Sequence, residues 1–156
     1  MALNQSRVGA AYPSYRYEIA REKIREYATA LGETDPRYLS DGDDCVAPPT
    51  FAAAFTLSKG LMALFSDAEL GAHPALVHGS QGFRFGARPL RPGDVLACTP
   101  RIESIAVRGR NEFLTSIVDC HFADTRDLAV EAEVVIVFLG SAPTEEAPAG
   151  AQEGAA

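Results

Sequence analysis

The sequence predicts an α+β fold in which a curled antiparallel sheet wraps a central apolar helix. Three observations predict it. Residues 48–65, PPTFAAAFTLSKGLMALF, have few polar side chains to make a wet face, so this helix has to be enclosed on nearly every side. At about 1.5 Å per residue it runs roughly 25 Å, the breadth of a small domain, so its enclosure must be most of the rest of the chain. Beyond Pro74 the sequence changes to long β-type stretches separated by turn residues, which supply that enclosure.

The first element is a short strand over 14–19, where Tyr15, Tyr17 and Ile19 share one parity. A surface helix follows over 21–31, with Ile24, Tyr27, Ala28 and Leu31 at helical spacing and Gly32 placed for a left-handed C-terminal cap. Residues 32–46 are rich in Asp, Gly, Ser and Pro and read as an irregular segment, a natural place for function. The central helix begins near Pro49, because proline is tolerated in a first turn, and fades around Ser66 and Asp67.

Four strands are expected next: 76–85, 94–107 with a bend near Pro100, 112–123, and 128–139, whose second half reads as covered on both faces. Gly109, Arg110 and Asn111 turn the chain between the second and third of these. Residues 141–156 contain no apolar side chain larger than alanine and are expected to form a disordered tail beyond a single domain over 1–140.

Composition narrows the function classes. A chain of 156 residues, 47% hydrophobic and 22% charged, has the size and make-up of one globular domain. Cys45, Cys98 and Cys120 are odd in number and widely spaced, which argues for free thiols over a disulfide framework or a zinc site. The net charge of −7 disfavours nucleic acid and anionic lipid as partners. The first residues lack a basic then apolar signal pattern and Lys59 and Gly60 interrupt the longest apolar run, so a cytoplasmic, non-membrane protein is expected.

Curling the sheet around the apolar helix is the economical burial, and that arrangement is a hot-dog fold. A single curled sheet leaves open edges, so a dimer, homomeric or heteromeric, is expected.

Several segments together resemble the MaoC-like hot-dog dehydratases and hydratases. They are Tyr17-Glu18-Ile19, Lys23-Ile24-Arg25-Glu26-Tyr27-Ala28, Asp35-Pro36, Val46-Ala47-Pro48-Pro49-Thr50-Phe51 and Arg88-Pro89-Leu90-Arg91-Pro92-Gly93-Asp94. The likeness extends to the FAS1-type N-terminal dehydratase branch and to the A-type, non-dyad subunits of (3R)-hydroxyacyl-ACP dehydratases. In active members, the resemblance implies, the loop before the central helix carries an Asp and, five residues on, a His. Dehydrating a 3-hydroxyacyl thioester removes a proton from C2 and gives one to the departing C3 hydroxyl, so a base and an acid must flank the same two carbons. N–H groups at the helix start hold the developing enolate oxygen. No metal or redox cofactor is required.

Laid on that pattern, Glu33 stands at the Asp position and Tyr38 at the His position. Glu33 retains acid–base capacity, but a tyrosine with an ordinary pKa of about 10 is a poor substitute for imidazole. Active relatives commonly place His-Gly at the helix start; here Pro48-Pro49 removes N–H donors. The resemblance therefore implies an acyl-chain-binding subunit, with Pro49, Thr50, Phe51, Phe55 and Leu61 towards substrate and the Asp and His supplied by a MaoC-like partner. Its ligand would be an acyl-ACP or acyl-CoA thioester, with Arg84, Arg88 and Arg91, from a set that also includes Arg101, Arg108 and Arg110, towards carrier acids or CoA phosphates.

Other readings stand beside this one. Glu33 is also readable as a solvated loop carboxylate, Tyr38 as a loop aromatic, Phe51 and Phe55 as pure core, and the arginines as scattered solvated faces. A self-sufficient homodimeric hydratase would use Glu33 with a residue such as His78, of the three histidines the one with more signal than His73 or His121. A non-catalytic acyl-binding or scaffolding module needs neither. A thioesterase would want a carboxylate on or near the central helix, and 48–65 has none.

Overall fold

The computed structural model describes residues 2–71 and 75–143. Five strands form one antiparallel sheet: β1 (Tyr15–Glu18), β2 (Leu76–Phe85), β3 (Val95–Arg108), β4 (Asn111–Phe122) and β5 (Leu128–Phe138), in the order β1-β3-β4-β5-β2. Helix α1 (Arg21–Leu31) and the short α2 (Pro36–Leu39) precede the central helix, and the expected hot-dog arrangement is present with the sheet left open. Gly32, at φ 71°, closes α1 in the left-handed conformation that glycine adopts without a Cβ penalty.

The central helix changes type along its length. It starts as a 3₁₀ turn (Pro49–Ala52), passes through an α segment (Ala53–Phe55) and a π segment (Thr56–Leu61), and ends as α-helix (Met62–Phe65). A wider i→i+5 turn disturbs the usual carbonyl partners, and hydroxyls fill in. Tyr15 donates to Phe55 O, Thr56 to Ala52 O and Ser58 to Ala54 O, each at 2.8 Å. At Gly60 the helix lies so close to β4 that a Cβ would sit 2.8 Å from Val118 Cγ2.

Enclosure is one-sided, which corrects the expectation that the helix is wrapped almost all round. Phe51, Phe55 and Leu64 are at most 1% exposed, Leu57 and Leu61 are half-buried, and Met62 and Phe65 are 60% and 46% exposed. The sheet curls over one face of the helix only, and burying each of the three enclosed side chains contributes about 1.5–3 kcal/mol.

The expected bend at Pro100 lies instead at Glu103, where the register between β3 and β4 shifts. Pro100 stays in register opposite Val118, and its carbonyl accepts Tyr12 N–H at 2.9 Å, pointing to the N-terminal arm. Its missing N–H therefore costs no bond to β4. The second half of β5 is covered as expected: Val134, Ile136 and Phe138 are buried on the helix side and Val137 on the other.

The N-terminal arm is an element that the sequence pattern did not reveal. Leu3 is buried in the core, and its N–H is shared by both oxygens of the fully buried Glu112, at 2.9 and 3.1 Å. Arg7 and Tyr12 converge on Asp67 just past the central helix, at 2.7 and 2.8 Å. The Tyr12 hydroxyl, then the Glu69 N–H and the Arg7 guanidinium, hold the Asp67 carboxyl below its ordinary range. Ordered contacts run past residue 140, with Ser141 buried and Ala142 N–H donating to Arg110 O. Of the tail expected to be disordered over 141–156, residues 144–156 lie outside the described residues, as does His73.

Two outcomes follow from this packing. Gly60→Ala should lower stability in urea titration, because overpacking of about 1–3 kcal/mol outweighs the roughly 1 kcal/mol gained in helix propensity, and Val118→Ala should restore part of the loss. Asp67 has a depressed folded pKa, so its contribution is present above the ordinary carboxylate pKa and lost as pH falls through the folded value. Asp67→Asn should flatten the acid limb of a stability-against-pH curve.

Candidate functional site

The two positions of the family dyad sit on a segment shaped by helix caps. Glu33 N–H donates to Ala28 O at 2.9 Å, so Glu33 belongs to the C-terminal cap of α1. Its half-buried carboxylate has no hydrogen-bond or ion-pair partner among the described residues. Asp35 is the N-cap of α2, accepting Arg37 N–H at 2.9 Å and pairing with the Arg37 guanidinium at 2.7 Å, which holds its carboxyl below the usual range. Pro36 opens α2, as suits a first helical position, so Asp35-Pro36 is a helix start and not only a turn. Tyr38 lies on α2, half-buried.

At the start of the central helix, Pro48 is buried while Pro49 and Thr50 are exposed. Pro48 O accepts Phe51 N–H at 2.9 Å and Thr50 O accepts the Tyr27 hydroxyl at 2.8 Å. Neither proline offers an N–H, so the first turn is poor in oxyanion donors. Phe51 meets Tyr27 edge-on at 5.5 Å, and Phe55 stacks on Tyr17 at 4.7 Å. Both phenylalanines are therefore packed within the core. An apolar cleft of about 250 Å³ lies at the helix start, lined by Ala47, Pro48, Pro49, Phe85, Gly86 and Leu90 among others.

Each of the three arginines singled out in the sequence has an internal partner. Arg84 makes a two-point contact with Glu131 across to β5, at 2.6 and 3.2 Å, and this draws the Glu131 carboxyl below its ordinary range. Arg88 bonds Asp94 at 2.8 Å and stacks 3.5 Å above the Phe122 ring. Arg91 donates to Asp43 O at 2.6 Å, and Arg21 donates to Ser40 O and Gly42 O. The loop leading into the central helix is thus held by guanidiniums on its own carbonyls. Cys45, Cys98 and Cys120 are free and buried. His78 lies exposed on the edge strand β2, with Nε2 3.1 Å from Ser80 O, and His121 contacts Arg126 O.

An open five-stranded antiparallel sheet curled over a central helix defines a class: MaoC-like hot-dog dehydratase folds. The model of the FAS1-like dehydratase domain region matches residues 6–131, and the chain belongs to that family. A UPF0336 protein of Streptomyces coelicolor is 42% identical over 124 residues, covering 73% of this chain and 81% of that protein. Another UPF0336 protein, from Thermobifida fusca, is 34% identical over 154 residues, 92% of this chain and 99% of that one. Among solved structures, the HadBC (3R-hydroxyacyl-ACP dehydratase) complex of Mycobacterium tuberculosis aligns at TM-score 0.73 and 25% identity over 84% of this chain and 96% of that chain. The ChsH1-ChsH2 complex of the same organism shares the fold at TM-score 0.64 and 17% identity, over 87% and 88% of the two chains.

Removing the Arg91 anchor should loosen the loop without unfolding the protein. Arg91→Ala is expected to raise amide hydrogen exchange over residues 42–46 by roughly fivefold, the equivalent of one hydrogen bond of about 1 kcal/mol.

Proposed function

We infer that this protein is the acyl-chain-binding subunit of a heteromeric (3R)-hydroxyacyl-thioester dehydratase, or enoyl hydratase, serving fatty-acid or polyketide elongation in the cytoplasm. The observation that carries the reading is the pair Glu33 and Tyr38 at the family's Asp and His positions, next to a helix start made of Pro48 and Pro49. Removal of the C2 proton and departure of the C3 hydroxyl need a base and an acid on the same two carbons, and a phenol is a poor substitute for imidazole in that pair. In this reading a MaoC-like partner supplies the Asp and His.

Supporting the partner are the β2 edge, which has no further strand beside it among the described residues, and the exposed Met62 and Phe65 of the central helix. Such an edge is ordinarily covered. HadBC and ChsH1-ChsH2, both described as complexes, each contain a chain with this fold. Pro49 at the cleft, the exposed Thr50 and the half-buried Leu61 are the accessible members of the acyl surface, and Phe51 and Phe55 lie in the core. Arg84, Arg88 and Arg91 remain the candidates for a carrier's acidic surface or CoA phosphates, and they would serve through N–H groups not already engaged internally.

The deciding experiment is enoyl-thioester hydration by the purified chain alone and with a MaoC-like partner that keeps its Asp and His. Background rates alone and strong activity in the mixture are expected, with Glu33→Gln and Tyr38→Phe changing the mixture by less than about twofold, since neither is asked to move a proton. Strong activity of the isolated chain, abolished by Glu33→Gln, would replace this reading with a self-sufficient hydratase.

A further inference from the structure

The face of the sheet turned away from the central helix carries a groove of about 310 Å³. Strand register lays out its floor in two rows. Ser80, Val135, Thr115 and Ser104 stand side by side on β2, β5, β4 and β3, and Val137, Phe113 and Ala106 form the next row towards the β3–β4 turn. Ser80 joins the first row because Gly79 is an extra residue: His78 pairs with Ile136 and Ser80 with Val135, so the bulge turns the Ser80 side chain outward. The hydroxyls of Ser80, Ser104 and Thr115 have no hydrogen-bond partner among the described residues.

The two ends of the groove differ in charge. At the turn, Arg108 lies 5.0 Å from the Phe113 ring and Arg110 is exposed, and neither has a carboxylate partner among the described residues. At the far end stands the exposed Glu133, next after Val135 in the outward series of β5. The chain itself arrives at the basic end. Gly140 N–H donates to Asn111 Oδ1 at 2.9 Å and Ala142 N–H to Arg110 O at 3.2 Å. Pro143 therefore stands beside the turn, where it lines a second cavity with Gly109 and Arg110. Thr144, Glu145 and Glu146 come next in the sequence, then Ala147-Pro148-Ala149-Gly150-Ala151.

We propose that the segment following Pro143 docks in this groove, with Glu145 and Glu146 on Arg108 and Arg110 and residues 147–151 along the two rows. Reach, bulk and charge all fit. Glu145 and Glu146 are two and three residues beyond Pro143, roughly 7–11 Å of extended chain, which brings both carboxylates to the arginines. Six strand positions, roughly 20 Å, separate Arg110 from Ser104, so an extended segment passes the Phe113 row and meets the hydroxyl row at about Ala149. Alanine, proline and glycine add little bulk over Phe113 and Val137, and their backbone groups suit the open hydroxyls. Charge sets the direction, because the opposite orientation brings the two glutamates against Glu133. This inference does not depend on the acyl-thioester reading.

The test is nuclear magnetic resonance on the full chain carrying a nitroxide at Ala149→Cys. Cys45, Cys98 and Cys120 are buried, so the added thiol is the one that takes the label. Broadening is expected at the amides of Ser104, Ala106, Thr115 and Val135 and not on α1. Arg108→Glu combined with Arg110→Glu should lower the docked-to-free ratio by roughly three- to tenfold, two exposed ion pairs being lost, and about 0.5 M salt should act in the same direction. Adding Glu145→Arg and Glu146→Arg to that variant should restore the broadening. Both arginines are exposed, so the reversals leave the fold intact, which unchanged amide shifts on α1 verify. Equal broadening on every face overturns the proposal, and so does broadening that the charge reversal leaves unchanged. Broadening that appears only between labelled and unlabelled chains in a mixture also overturns it, and assigns the groove to a second copy.

Discussion

The contact between Gly60 and Val118 is the constraint around which the fold is arranged. A helix lies on a sheet at a distance set by the side chains between them, and here one of those side chains is missing. The close approach brings Tyr15 from the β1 edge within reach of Phe55 O, where its hydroxyl serves a carbonyl of the irregular segment. Phe55 and Phe51 then continue the seam towards the helix start, packed against Tyr17 and Tyr27. Seam, irregular turn and aromatic stack form one cooperative unit, because each depends on the spacing that Gly60 permits.

Charge is handled locally. The protein is acidic overall, yet no Asp or Glu occurs in residues 45–66 or 70–93. Those stretches include the central helix and β2, so neither element carries a carboxylate, and their basic side chains are Lys59, His78 and Arg84. The remaining basic groups of the 88–94 loop are directed inward, onto Asp94, Phe122 and the Asp43 carbonyl. Of the basic groups, Arg91 and Arg21 fasten the loop that carries Glu33 and Tyr38 towards the helix start.

Periodic elements were readable because their signals are local. The bounds of α1 follow from helical spacing and Gly32, and the four long strands follow from alternation and turn residues, with β2 at 76–85 as expected. What was not readable depends on distant partners. Leu3 and Glu112 meet across 109 positions, and Tyr15 reaches Phe55 across 40. The bulges at Gly79 and Glu103 are set by register with neighbouring strands, to which composition is blind. Helix burial was overestimated at Met62 and Phe65 for a further reason: an apolar side chain reads the same whether its own fold or another surface covers it. For the site, the positions of Glu33 and Tyr38 were found through family likeness. His78 was singled out, but that it shares the helix-side face of β2 with Gln81 depends on the bulge between them.

Gly60 also has a topological meaning for any ligand. Where the helix touches Val118 there is no room for a methyl group, so the seam between helix and sheet is shut and no alkyl chain can thread beneath the helix there. Under the proposed acyl-binding role, a chain would have to run along the helix's outer flank, past Leu57 and Leu61, where this fold provides only a floor. The opposite wall would then come from another surface, and the length of alkyl chain that fits would be a property of the assembly, not of one polypeptide.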